Sequence, residues 1–230
     1  MRRTPYNRHP LAPAFVIALG VIAAGLLALF LVGAVAYAYR RIGIGEGTLL
    51  GLIWLSLLGG FVNIPVARLR GRSTLGVDEF VVFGVRYRVP VLRRPAPTIV
   101  AVNLGGALIP AGLSVYLVIA DGVWWQAAVG VVFVSAIVHR AARPVPGLGI
   151  AVPALLPPVL AALIALLVAP TATAAVAYAS GSLGTLIGGD LLHLRRLRDL
   201  GAGVASIGGA GTFDGVFLSG IVAVLLVGLA

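Results

Sequence analysis

The sequence predicts an all-α fold, a polytopic transmembrane helical bundle of about seven spans in one integral membrane domain over residues 1–230. Three observations predict it. Hydrophobic residues make up 60% of the chain and charged ones 10%, whereas soluble domains run near a quarter charged. Seven apolar runs, at 14–38, 47–67, 98–120, 122–140, 153–169, 171–192 and 212–230, reach or approach the roughly 20 residues that cross a bilayer. The basic residues, finally, are confined to the connections between those runs.

That last pattern also excludes function classes. The net charge is +10, but all 17 basic residues are arginines in short connections, which is membrane topology and not a nucleic-acid-binding stripe. No nucleic acid is expected as a partner; the lipid bilayer is. With the N-terminus inside, 15 of the 17 arginines fall on the cytoplasmic side and only Arg40 and Arg41 outside. A multi-pass inner-membrane protein is therefore expected, with its N-terminus cytoplasmic and its C-terminus outside. The absence of cysteine removes disulfides and thiolate chemistry, and the absence of lysine removes a Ser–Lys dyad. Arg2, Arg3 and Arg8 precede an apolar run longer than the ~7–15 residues of a signal sequence, so that run is expected as a retained first span.

The connection 68–97 is the cytoplasmic loop with a pattern of its own. Val85, Tyr87 and Val89 alternate with Arg86 and Arg88, which predicts a small β-hairpin turning near Gly84. Its arginine face would lie on anionic headgroups, or the loop would simply be solvated. Spans two and three carry Asn63 and Asn103 near their cytoplasmic ends, each in need of a hydrogen-bond partner in lipid. Gly105 and Gly106 would permit close helix approach, and Pro110 would free a carbonyl. Span four ends at His139. The stretch 143–158 is too apolar for a solvated loop and too rich in Pro and Gly for a helix, with Pro157 and Pro158 interrupting span five. A re-entrant segment or broken helix is expected there, or else a loop in the headgroup layer.

The candidate site lies in residues 180–220. Ionisable residues at membrane depth are costly, so Asp190 and Asp214 are candidates for function. Asp190 falls in the last turn of span six. From Asp214 to Ala230 a helix rises about 24 Å against a core of about 30 Å, so Asp214 lies near the same boundary. Asn63, Asn103, His139 and His193 fall at cytoplasmic ends too. Two carboxylates close together would share a proton, one acting as base toward water and the other as acid toward a leaving amine. Gly188, Gly189, Gly208, Gly209, Gly211 and Gly215 would let a substrate backbone approach. The structural alternative has Asp190 capping or pairing with Arg195, and Asp214 favoured by a helix dipole. Asp190 and His193 stand three residues apart, with His139 and Asp214 as further candidate metal ligands, but no motif of the HExxH kind occurs. No metal or cofactor is expected.

The blocks VNLGGALIP (102–110), RPVPGLGIAVPALLPP (143–158), and GSLGTLIGGDLLHL with SIGGAGTFDGVF (181–217) resemble an uncharacterised family of multi-spanning prokaryotic membrane proteins built on one domain of unknown function. More loosely, Gly188-Gly189-Asp190 is similar to the Gly-x-Gly-Asp signature of intramembrane aspartyl proteases. That resemblance implies catalysis by Asp190 and Asp214 on a membrane peptide. The sequence departs from it at Ile187, in the 24-residue separation of the aspartates, and in Pro153-Ala154-Leu155, which precedes Asp190 instead of following it. A di-aspartyl intramembrane hydrolase at the cytoplasmic edge is the leading expectation. A small-solute or cation transporter is the alternative from another class, weakened by polar residues that thin out toward the outer ends and by the lack of an inverted repeat. A membrane scaffold with structural aspartates is the third. The sequence does not set the oligomeric state.

Overall fold

The computed structural model describes residues 11–69, 74–82, 85–93, 97–145, 149–194, 204–209 and 215–230. Among these the chain is mostly helical, with seven α-helices, but it also holds seven short strands, so the fold is not all-α. Helix α1 (Leu11–Arg41) contains the one stretch among the described residues, Gly20–Arg41, that is both long enough and apolar enough to cross a membrane. Arg40 and Arg41 complement the negative end of its dipole. A turn at Gly43, where φ is +80°, leads into α2 (Glu46–Gly59).

Two expected spans are shorter than predicted, for the same reason. The second was expected to run to residue 67 but stops at Gly59, and Asn63–Leu69 forms strand β1. The third was expected to start as helix at 98, yet Thr98–Asn103 forms β4. Both stretches are rich in β-branched residues, which pack well on a pleated surface, and Pro65 lacks the N–H a helix interior needs. β1 and β4 pair antiparallel with Asn63 opposite Asn103, and the register slips between Pro65 and Ala67. β4 also pairs in parallel with β7 (Val204–Ile207), giving a three-stranded sheet in the order β1-β4-β7. Between β1 and β4 lies the expected hairpin: β2 (Thr74–Val82) and β3 (Val85–Arg93) pair antiparallel and close at Val82 and Val85.

The chain leaves β4 through a π-helical turn, Leu104–Leu108, into α3 (Ile109–Ala120), followed by α4 (Trp124–Ala141). Among the described residues of the stretch 143–158 there is no broken helix. β5 (Arg143–Val145) and β6 (Gly149–Ala151) form a small hairpin, and α5 (Leu156–Val168) begins at the two prolines. Proline at the first helical positions has its φ preset and loses no helical hydrogen bond, so Pro157 and Pro158 start this helix instead of interrupting it.

Helix α6 (Thr173–Thr185) is the axis of the bundle, packed against α3, α4, α5 and α7 (Gly215–Val227). Ala175 to Ser182 are buried without exception. Small residues allow this closeness. A Cβ on Gly184 would stand 2.6 Å from the Val134 side chain, and one on Gly181 would stand 2.7 Å from the Ser219 carbonyl oxygen. The outward faces are apolar instead, as at Leu163, Leu167, Trp125 and Phe133. Beyond Thr185 the helix loosens into a π turn, Leu186–Asp190, and a 3-10 turn, Leu191–His193.

Candidate functional site

Three polar regions follow one another along α6. The first, at the sheet end, gathers several residues singled out by sequence. Asn103 ends β4 and is fully buried. Its Nδ2 donates to the Gly60 carbonyl at 2.7 Å and to Asn63 Oδ1 at 3.2 Å, while its Oδ1 accepts from the Gly106 N–H at 2.7 Å. Asn63 Oδ1 also accepts from the Ser206 hydroxyl at 2.6 Å. Asn103 thus caps the π turn and locks the turn after α2 to the sheet.

Asp190 joins this network from the π turn that follows α6. It is half-buried, and its Oδ2 accepts from the Gly208 N–H at 2.7 Å. Gly208 and Gly209 both have left-handed backbone, with φ of +80° and +76°. A Cβ on Gly106 would overlap the Gly208 carbonyl, so glycine at 106 is what lets the segment after β7 lie on the π turn. Asp190 therefore holds the end of the sheet to the end of α6.

His139 and His193 meet on the other side, with ring centroids 4.3 Å apart and planes tilted by 45°. His193 is fully buried and its Nδ1 lies 3.1 Å from the Gly188 carbonyl oxygen. Gly188 and Gly189 have no open space beside them. A Cβ on Gly188 would stand 2.5 Å from the Ser135 oxygen of α4, and one on Gly189 would stand 3.2 Å from Val152. Gly188 lets the π turn pack on α4, and Gly189 packs against Val152 just beyond β6. Asp214 and Gly211 lie outside the described residues, as does Arg195. Gly215 opens α7 with open space around its Cα. Among the described residues no three His, Asp or Glu side chains are placed to hold a metal ion.

The second region lies halfway along the bundle and was missed by sequence reasoning. The hydroxyls of Ser56 (α2), Tyr39 (α1), Tyr178 and Ser182 (α6) follow one another at interaction distance. All four are buried and none has a hydrogen bond of good geometry. Ser56 also faces an apolar crevice of about 240 Å³ between α1, α2 and Phe217. A buried hydroxyl left unpaired costs about 1–3 kcal/mol. The available signal was Tyr178 and Ser182 four residues apart within an apolar run, which places them on one helix face.

The third region is an open vestibule of about 650 Å³ at the opposite end, lined by Arg41, Asp121, Pro170, Thr173, Ala175 and Val227, among others. Arg41 donates to the Tyr37 hydroxyl at 3.1 Å and to the Gly228 carbonyl at 3.3 Å.

A family profile described as a protein of unknown function, DUF1614, matches residues 57–226. The chain belongs to the DUF1614 family. The expected membership of an uncharacterised family thus holds. No curated protein and no solved structure matches the chain. The DUF1614 match takes in the three-stranded sheet, both π turns, α6 and Asp214, whereas Tyr39 and Ser56 precede it.

Proposed function

We propose that the chain is a multi-pass membrane protein that moves a small cation across the bilayer along the buried face of α6. The observation that carries this reading is the line of polar groups on that helix. Ala174 and Ala175 floor the vestibule, and Tyr178, Ser182 and Thr185 continue the same face toward Asp190. The sequence alone offered no such path toward the outer end. Helices with small residues inward and large apolar residues outward support the membrane setting. The arginine distribution supports an inner-membrane orientation with the sheet end cytoplasmic and the vestibule outside. In this reading Asp190 is the inner acceptor of the cation. The test is cation flux into vesicles containing the purified protein. Asp190→Asn is expected to lower it at least tenfold, and equal flux in both proteins would defeat the reading.

One observation favours a second reading, the di-aspartyl hydrolase. The Gly208 N–H on Asp190 brings the chain to within six residues of Asp214, a span of at most about 20 Å. A hydrolase would cleave a membrane peptide at the cytoplasmic edge and would lose that activity in both Asp190→Asn and Asp214→Asn. Peptide cleavage that survives either change would remove this reading.

A further inference from the structure

We infer that the vestibule at the end of the bundle opposite the sheet binds a small zwitterion, a molecule with an anionic group at one end and an ammonium group at the other. Binding there is separate from cation transport and does not require it.

The two charges of the vestibule come from different parts of the fold. Arg41 is the last residue of α1, and Asp121 stands at the C-cap of α3. Both line the same cavity of about 650 Å³, with residues 170–175 at the start of α6 forming much of the remaining wall. That volume falls within the roughly 300–1,000 Å³ usual for small-molecule sites. Among the described residues no ion pair joins the two charges, and the Asp121 carboxylate accepts no hydrogen bond. Arg41 is held in place from behind. Its Nε donates to the Tyr37 hydroxyl, its Nη2 to the Gly228 carbonyl, and the guanidinium lies 5.7 Å from the centre of the Tyr37 ring. These bonds use two of its five N–H groups and leave three for a ligand. The Asp121 backbone is fixed as well, since its N–H donates to the Leu117 and Ile119 carbonyls. Groups fixed in this way lose little freedom when a ligand arrives.

The pair of charges selects the ligand. A simple anion on Arg41 would face the Asp121 carboxylate, and a simple cation on Asp121 would face the guanidinium. A zwitterion satisfies both. Its carboxylate or phosphate accepts from the forked guanidinium, and its ammonium donates to Asp121. The Thr173 hydroxyl donates to the Ala169 carbonyl, which leaves its oxygen as a further acceptor in the wall. The start of α6, which no side chain caps, adds the positive end of its dipole to the anionic pole. Arg40 and Arg41 are also the two of the 17 arginines that fall outside the cytoplasmic connections, against the usual bias of membrane topology. An anion to bind accounts for an arginine on that side. The same zwitterion chemistry occurs in a free amino acid and in an ethanolamine phosphate headgroup.

The full chain is purified in dodecyl maltoside, an uncharged detergent, and dialysed to equilibrium against radiolabelled alanine and, separately, radiolabelled glycerophosphoethanolamine. Saturable binding of one equivalent of either is expected. Alanine binding identifies a free amino acid as the source, and binding of glycerophosphoethanolamine alone a lipid headgroup. Acetate and ethylamine each carry one of the two charges and should displace the zwitterion about tenfold less well than its own unlabelled form. Arg41→Gln should weaken binding about tenfold or more, and Leu167→Ala, on the outward face of α5, should leave it unchanged. Asp121→Asn breaks no bond seen in the structure, so it should unfold at the parent temperature and serves as the test if Arg41→Gln does not fold. In that variant acetate should compete as well as the zwitterion, because the negative pole is gone. Saturable binding of neither probe overturns the site. So does parent-like affinity in the folded Asp121→Asn protein, or equal competition by acetate in the parent. Zwitterion binding without cation flux removes the transport reading and leaves this site standing, whereas flux without binding removes the site alone.

Discussion

Replacing Asn103 by alanine would leave the Gly60 carbonyl and the Gly106 N–H without their partner in a buried place. Each such loss costs about 1–3 kcal/mol, so Asn103→Ala is expected to lower stability by about 2–5 kcal/mol, read as a fall in the unfolding midpoint in detergent. Gly106→Ala should do similar damage by another route, since the Gly208 carbonyl in its way is backbone and cannot rotate aside. Asp190 behaves differently. An asparagine there keeps an oxygen for the Gly208 N–H while removing the charge, so Asp190→Asn should unfold near the parent temperature. Asp190→Ala should not. This separation makes the asparagine variant the clean probe of what the charge does. At this scale the sequence marked Asn63, Asn103, Asp190 and His193 from the cost of polar groups in an apolar run. It gave no warning of Ser206 and marked Gly208 only for substrate approach, because their roles depend on a pairing of Ile99 with Val204, 105 residues apart in sequence.

At the scale of elements, α6 depends on its glycines facing α4. Gly184→Leu would drive a branched side chain into Val134 and is expected to abolish the folded bundle, measured as loss of a monodisperse profile. Pro157→Ala at the start of α5 should cost about 1–3 kcal/mol, because that proline supplies preset backbone and its ring is fully buried. The helices were legible as apolar runs, and the hairpin from the alternation of Val85, Tyr87 and Val89 with Arg86 and Arg88. β1 and β4 were not, since a short β-branched run next to an apolar helix reads as its continuation. The prolines of α5 misled for a related reason: a proline pair marks a break or a beginning, and only the preceding β5–β6 hairpin decides which.

For the whole molecule, the order β1-β4-β7 separates the framework from the β2–β3 hairpin, which pairs only with itself. Leu69 and Thr98 are register partners, so the chain enters and leaves that insertion at neighbouring points. Replacing residues 70–97 by a two- to four-residue Asn-Gly turn is expected to give a protein that unfolds at nearly the parent temperature. An unfolded product would show that the hairpin contributes to the framework. The mostly helical character was readable from the long apolar runs. The sheet was not, since its central strand gains its parallel neighbour from the far end of the sequence. That pairing has a consequence for how the protein is made. β4 leaves the ribosome with β1 already available, but its other edge stays open until residues 204–207 have been synthesised. Until then a strand edge and the Asn63 side-chain oxygen that accepts from Ser206 await a late arrival, and the newborn chain is at its most vulnerable to quality-control proteases. Arrest of synthesis near residue 195 should therefore yield a protease-sensitive intermediate, and arrest after the whole of α7 has emerged a resistant one.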